Sequence, residues 1–459
     1  MQNNPQRPFG ARDKFGYLFG DLGNDFTFIL STTILMKFYT DVMGVSAAVV
    51  GAVMMLARFV DAFTDVAMGR ICDRSPVTAL GKYKPWILRM CLPVALASFL
   101  MYQSSLSNMA MGLKIAYLLV TYILWGSICY TAVNIPYGSM ASGISPEPGH
   151  RQSLSTYRTM GGMLAGAVIG VVVPLLAYQK LDGKETLVGS RVTAIAGVCS
   201  LLAVGSYLLC CRLTTERLQP QSTKQAAVST ARMLKNALTN RSLLSVIAAS
   251  IVMLLAQLTM QGMAGYVYPQ YYNSAAAQSA STILMMVTMA ISAALAKPIA
   301  TKVGKAELAA CSSFFAVAVC LITWVMRPGN VWVFTGLQGL CWLGLGMFSM
   351  VSWALITDVI DDAELKNGIR EDGSVYALYS FSRKLGQAAA AGLSGVLLSM
   401  IGYSEATKHD PQVLEGIFDI ATIVPALGFA ALGLILWLWY PLHKKQVEEN
   451  VKTLAKKRK

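Results

Sequence analysis

Twelve stretches of this chain are each apolar over about 20 residues, the length an α-helix needs to cross a hydrocarbon core of about 30 Å. They fall near 15–40, 46–70, 85–104, 112–140, 155–178, 190–213, 243–268, 277–300, 307–326, 331–357, 374–402 and 416–440. A backbone in lipid has to satisfy its own N–H and C=O groups, which a helix does internally. The expected fold class is an all-α integral membrane protein of twelve transmembrane helices. Composition agrees: 55% of residues are hydrophobic and 14% charged, against roughly 25% charged in a soluble protein. The loops are too short to hold a soluble catalytic domain, so any chemistry must lie within the membrane.

The net charge of +14 could point to nucleic acid, but the basic residues gather at alternate loops instead of forming a domain face. Arg7, Arg12, Lys14, Arg70, Arg74, Lys82, Lys84, Arg151, Arg212, Arg217 and the tail from Lys444 fall on one side. The other side carries few, among them Lys114, Lys180 and Arg327. The positive-inside rule places both termini in the cytoplasm, which needs an even number of spans. The nine cysteines lie mostly inside spans without CxxC spacing and read as small packing residues, and the three histidines lie in loops or the tail. No cleavable signal is expected before the first span, whose start carries Arg12, Lys14, Asp21 and Asp25.

The longest polar segment, 215–241, has six spans before it and six after. The expected organisation is an N-terminal six-helix bundle over 1–214, a cytoplasmic loop over 215–241, a second bundle over 242–441 and a basic tail over 442–459. The loops after spans 2 and 8 occupy matching places and both contain Gly-Lys, a weak mark of duplication.

Ionisable residues at membrane depth are costly and point to function. Span 1 carries Asp21 and Asp25, and span 2 carries Asp61 and Asp65. Spacing of four stacks each pair on one helix face, with Cβ atoms about 5–6 Å apart. Two carboxylates so close in low dielectric need a proton, a metal cation or a basic partner between them. Asp61 and Asp65 are therefore candidates for a coupling site, or else they are held by a base such as Arg158 or Lys384. In span 4, Thr131 and Asn134 share a face and offer neutral oxygens, and Pro136 frees a carbonyl. Span 11 carries the adjacent pair Arg383 and Lys384, which project about 100° apart. Tyr130 and Trp353 are the aromatic candidates for a sugar face.

Several motifs carry a family resemblance. The run DAFTDVAMGRICDRSPVTALGKYKPW at 61–86 resembles the signature of the glycoside-pentoside-hexuronide:cation symporters, the melibiose permease family within the major facilitator fold. So do GDLGND at 20–25, FYTDVMG at 38–44, NIPYGSM at 134–140, WALITDVIDDAELKNGIREDG at 353–373 and FSRKLGQ at 381–387. The matches run in family order over almost the whole chain. The resemblance implies that Asp61, Asp65 and Thr131, with Asn134, bind the cation. It implies that Asp25 and Arg158 contact the sugar and that Lys384 lies between cation and sugar. It also places Asp73, Arg74, Asp358, Asp361 and Arg370 at an inner gate.

Two positions depart from melibiose permease: Asn134 stands where it has an aspartate, and Gly138 where it has a tryptophan. One acid fewer weakens the case for sodium, which needs several oxygens, relative to a proton. With Arg383 added before Lys384, the motifs most resemble the glucuronide carriers of the family, and the expected cargo shifts toward an acidic sugar. The expectation is a symporter working by alternating access in the cytoplasmic (inner) membrane of a bacterium. It would be a monomer, take a small sugar or glycoside coupled to H+, lie among membrane lipid, bind no nucleic acid and need no cofactor beyond its ion. A metal at Asp61 and Asp65 would be Na+, the alternative ion. Rival readings are a neutral glycoside or pentoside:Na+ symporter, a lysolipid transporter and an intramembrane aspartyl protease. The protease is disfavoured because such dyads draw one aspartate from each of two helices.

Overall fold

The computed structural model describes residues 7–217, 240–367 and 372–457. Most of the middle loop and Arg370 lie outside the described residues. Helix–helix contacts divide the chain into two units, one of Met1–Gln225 with Leu398–Lys408 and one of Ala226–Leu397 with His409–Lys459.

In the first unit the helices are α1 (Ala11–Asp41), α2 (Ala47–Arg74), α3 (Lys84–Leu100), α4 (Met111–Ile123), α5 (Thr131–Ile144), α6 (Pro148–Ala177) and α7 (Gly189–Leu213). α4 and α5 form one continuous rod joined by a π-helical segment, Leu124–Tyr130. In the second unit they are α8 (Arg241–Tyr266), α9 (Ala275–Val303), α10 (Lys305–Met326), α11 (Val331–Asn367), α12 (Asp372–Met400), α13 (Pro411–Leu434) and α14 (Lys444–Lys457). Among the described residues, nine helical rods are long and apolar enough to cross a membrane. The chain is a nearly all-helical membrane protein, as its sequence predicts. The helices outside that set include α1, which carries buried Asp13, Asp21, Lys37 and Asp41, and α3, which is only 17 residues long.

α1 packs against α6 and α7, and α2 against the α4–α5 rod. Lipid supplies no hydrophobic drive between helices, so close approach depends on small residues. A Cβ on Gly20 would lie 2.2 Å from the Tyr137 ring, and one on Gly161 would lie 2.5 Å from the Leu18 carbonyl oxygen. These glycines bring α1 into direct contact with α5 and α6. In the second unit, α11 packs on α9 and α10, and α13 on α8 and α10. Leu345, Phe348, Leu355, Ile356 and Phe429 stand in its apolar core.

One end of the first unit is pinned by charge. Buried Asp13 accepts from Arg7 Nη2 at 2.9 Å, Arg217 Nη2 at 2.8 Å, and the backbone N–H groups of Thr215 at 3.0 Å and Gly10 at 3.2 Å. Glu216 accepts from the backbone N–H groups of Lys82 at 2.7 Å and Lys84 at 2.8 Å, where a carboxylate stabilises the start of α3. At the other end, Tyr403 donates to Asp41 Oδ1 at 2.7 Å and accepts from Lys37 at 3.1 Å, which fastens the 398–408 segment to α1.

Two elements depart from the sequence reading. Tyr178–Leu181 and Lys184–Leu187 pair as an antiparallel hairpin between α6 and α7. Its turn places both Asp182 (φ 49°) and Gly183 (φ 76°) in the left-handed region, the pattern of a tight two-residue hairpin. The basic tail forms helix α14, which docks on α11: Asn450 donates to buried Asp362 at 3.4 Å.

Candidate functional site

The candidate residues of the first unit come together on α1, α2, the α4–α5 rod and α6. Ser127 Oγ donates to Asp61 Oδ1 at 2.5 Å, and Thr131 Oγ1 donates to Asp65 Oδ1 at 2.9 Å. Both hydroxyls are four residues apart, as are both carboxylates, so α2 and the rod run parallel and meet in two matching rungs. The π-helical segment sets this register: Thr131 Oγ1 also reaches back five residues to the Gly126 carbonyl at 3.2 Å. π-Bulges inside α-helices occur frequently at functional sites.

The basic partner of Asp61 lies on its own helix. Arg58 Nη1 lies 3.3 Å from Asp61 Oδ2, and its guanidinium sits 5.0 Å from the centre of the Phe28 ring. Asp61 thus has a hydroxyl on one oxygen and a guanidinium on the other. Asp65 stands one turn further along the same face of α2, with the Thr131 hydroxyl on its Oδ1.

A second constellation lies on α1 and α6. Arg158 Nε donates to Asp21 Oδ1 at 2.9 Å, and the guanidinium lies over the Tyr137 ring at 5.2 Å. Asp25 lies close to both Asp21 and Arg158. A Cβ on Gly162 would be 2.6 Å from Asp25 Oδ2, so this glycine makes room for that carboxylate. A Cβ on Gly138 would stand 3.8 Å from Arg158 Nη1, so the missing side chain leaves space beside the guanidinium. Tyr130 stacks on Phe28 with ring centres 5.7 Å apart.

Asn134 lies one turn beyond Tyr130. Its Oδ1 accepts from Asn24 Nδ2 at 3.3 Å, and Asn24 Oδ1 accepts from Tyr207 at 2.8 Å. In this arrangement Asn134 is held by its amide neighbour, and no carboxylate shares that position.

The remaining candidates are placed as follows. Arg383 and Lys384 are half-buried on α12 of the second unit, and Arg383 lies 6.0 Å from the Tyr379 ring centre. Trp353 lies on α11, and its side chain is outside the described residues. Asp73 and Arg74 are exposed at the end of α2, where the Asp73 carbonyl accepts from Lys82 Nζ at 2.9 Å. Asp358 is buried and pairs with Lys305 at 2.6 Å, and Asp361 is half-buried beside it on α11.

Sequence reasoning missed Arg58, Ser127, Asn24 and Tyr207. Arg58 had a signal in its i,i+3 spacing to Asp61. Ser127 had one in its four-residue spacing to Thr131. No spacing rule joins Asn24 or Tyr207 to Asn134, because the contact crosses helices.

Residues 16–444 match the family model described as MFS/sugar transport protein. The chain belongs to that family. Its relatives include an uncharacterized symporter, YjmB, of Bacillus subtilis (strain 168), 30% identical over 98% of this chain and 97% of that protein. They also include a glucuronide carrier protein homolog of Escherichia coli (strain K12), 28% identical over 97% of this chain and 95% of that protein. An isoprimeverose transporter of Lactiplantibacillus pentosus is 32% identical over 94% of this chain and 89% of that protein. These relatives agree with the resemblance to glycoside-pentoside-hexuronide:cation symporters. Among solved structures, the nucleoside transporter NupG aligns at TM-score 0.62 and 15% identity, covering 92% of this chain and 99% of that chain. The D-xylose-proton symporter aligns at TM-score 0.63 and 13% identity, covering 94% of this chain and 97% of that chain. At such identities the likeness shows the major facilitator fold alone. The chain is a multi-pass membrane protein of a transporter family.

Proposed function

We propose that this chain is a secondary symporter, not an enzyme, that takes up an acidic sugar or glycoside of the hexuronide class together with a proton. The observation that carries the reading is the two-rung arrangement in which Ser127 and Thr131 hold Asp61 and Asp65 side by side at membrane depth. Beside it, in the same unit, Asp25, Asp21, Arg158 and Tyr130 supply the mixture of charge, hydroxyl and flat ring that sugar sites use.

Neutral Asn134 and the added Arg383 favour an anionic cargo, because a buried carboxylate needs a charge-assisted partner. A glucuronide carrier homolog among the relatives supports the same direction. The isoprimeverose transporter supports the second reading, a neutral glycoside or pentoside carried with Na+. A lysolipid would need an apolar pocket, which the charges around Arg158 oppose.

In this reading the cation neutralises the Asp61–Asp65 pair, and cation and sugar raise each other's affinity by the same factor, as linkage requires. Twelve crossings with both termini in the cytoplasm, a bacterial inner-membrane setting and a monomeric state complete the proposal. The test is uptake into proteoliposomes of methyl glucuronide and methyl xyloside, each driven by an imposed pH gradient or by a Na+ gradient. Glucuronide accumulation driven by pH supports the reading. Xyloside accumulation driven only by sodium replaces it with the second.

A further inference from the structure

The stretch from Leu398 to Lys408 ends α12 and leads into α13, two helices of the second unit, yet it groups with the first unit. Two contacts hold it there. Tyr403 OH stands between the charges of a buried ion pair on α1: it donates to Asp41 Oδ1 at 2.7 Å and accepts from Lys37 Nζ at 3.1 Å, while Lys37 Nζ lies 3.2 Å from Asp41 Oδ2. Four residues before Tyr403, Ser399 Oγ accepts from the backbone N–H of Ala48, at the start of α2, at 2.8 Å. Tyr403, Lys37 and Asp41 are each no more than 4% exposed.

Such a contact is a poor choice for a permanent anchor. Ions taken out of water lose hydration that their mutual attraction repays only in part, so a buried ion pair adds less net stability than apolar packing of the same volume. Here both ions belong to α1, and only the tyrosine belongs to the 398–408 segment. When Tyr403 leaves, Lys37 and Asp41 stay paired and regain water. Parting therefore costs less than it would for an apolar plug of the same size, which would expose its surface to water with no such return.

The segment is also built to keep its shape. Gly402 turns the chain at φ 75°, a left-handed value that glycine adopts without strain. Thr407 Oγ1 donates to the Gly402 carbonyl at 2.6 Å and lies 3.0 Å from the Ser404 N–H that donates to it, and Ser404 Oγ accepts from the Thr407 N–H at 3.3 Å. These bonds run within the segment, so none of them breaks if it lifts off α1.

We propose that residues 398–408 form a strap at the outer face, with Tyr403 as its clasp and the Lys37–Asp41 pair as its seat, and that the strap lets go of α1 each time the transporter opens outward. The proposed topology puts both the end of α1 and the α12–α13 connection on the outer side. The inference rests on the reading of the chain as a symporter working by alternating access, and it names the contact that has to break in that cycle.

The test ties the strap down. The contact of Ala48 N–H with Ser399 Oγ limits the two Cα atoms to at most about 6.7 Å apart, inside the range that a disulfide spans. The full chain carrying Ala48→Cys/Ser399→Cys is placed in proteoliposomes, oxidised with copper phenanthroline and checked by mass for the disulfide. Exchange and pH-driven accumulation of methyl glucuronide and methyl xyloside are then measured against wild type given the same oxidant. The strap predicts that the tether cuts both rates at least about tenfold for whichever probe the wild type takes up, and that dithiothreitol restores them. Tethered protein that transports as fast as its reduced form reveals a fixed anchor and overturns the inference, while the wild-type rates still report on the symport reading. A loss that dithiothreitol does not reverse overturns it too. If the wild type moves neither probe, the symport reading and the strap fall together. Should the double variant fail to fold or to cross-link, Ser399→Cys is compared with Ser399→Cys/Tyr403→Phe for labelling by a membrane-impermeant thiol reagent added outside. Removing the clasp hydroxyl predicts labelling about fivefold faster, and unchanged or slower labelling overturns the inference.

Discussion

Gly162 allows a worked prediction, because the structure gives the overlap that a side chain would create. A Cβ at this position would lie 2.6 Å from Asp25 Oδ2 and 3.2 Å from Asp21 Oδ2. Ordinary contact of a Cβ begins at about 3.4 Å, so Gly162→Ala must push the Asp25 carboxylate by roughly 0.8 Å. The displaced atom is the end of a side chain and the backbone is not struck. The stability cost should therefore stay near the low end of overpacking, about 1 kcal/mol. Function should suffer more, since a misplacement approaching 1 Å can cost up to about a hundredfold where geometry is critical. Sugar affinity measured by counterflow should weaken about tenfold, with the thermal midpoint lowered by only a few degrees. Gly161→Ala provides the contrast: its Cβ would stand 2.5 Å from a backbone oxygen, Leu18 O, so it should lower the thermal midpoint more than Gly162→Ala does. The reasoning is refuted if Gly162→Ala binds sugar as wild type does, or if both variants lose stability equally.

Other outcomes follow from the charged and turn residues. Arg58→Ala removes the guanidinium from a largely desolvated Asp61 and should destabilise the protein by about 3–5 kcal/mol, with much of the loss recovered in Arg58→Ala/Asp61→Asn. Thermal unfolding of the single and double variants checks this, and an additive double variant would contradict it. Asp13→Ala strips four donors of their acceptor and should cost at least about 3 kcal/mol, read as a lowered melting point or loss of expression. Gly183→Ala places a side chain at φ 76° in an exposed hairpin and should cost about 1 kcal/mol while leaving transport rates unchanged.

The sequence made the fold class legible because length and hydropathy decide it. Spans predicted at 46–70 and 190–213 correspond to α2 and α7 within a few residues. The hairpin after α6 was missed, although its Asp-Gly pair is a hairpin signal, because it is buried in a polar loop between two strong apolar patterns. The tail was read for its charge alone, yet α14 is held by contacts such as Asn450 to Asp362 that only a folded chain brings together. At the candidate site, periodicity placed Asp61 with Asp65 and Thr131 with the cation candidates. Ser127 had a signal in its four-residue spacing to Thr131, but spacing alone does not say that this face of the rod meets Asp61. The pairing of Arg158 with Asp21, and of Asn134 with Asn24, depends on which helices touch. That in turn is set by glycines whose importance is invisible until their neighbours are known.

Coupling at Asp61 is the central claim, and one comparison addresses it most directly: gradient-driven accumulation against equilibrium exchange in Asp61→Asn. The account predicts that accumulation in response to a pH or Na+ gradient is lost while exchange of the same sugar continues, because the amide can still accept from Ser127 but can no longer gain and lose a cation. Accumulation at the wild-type level in Asp61→Asn would contradict it.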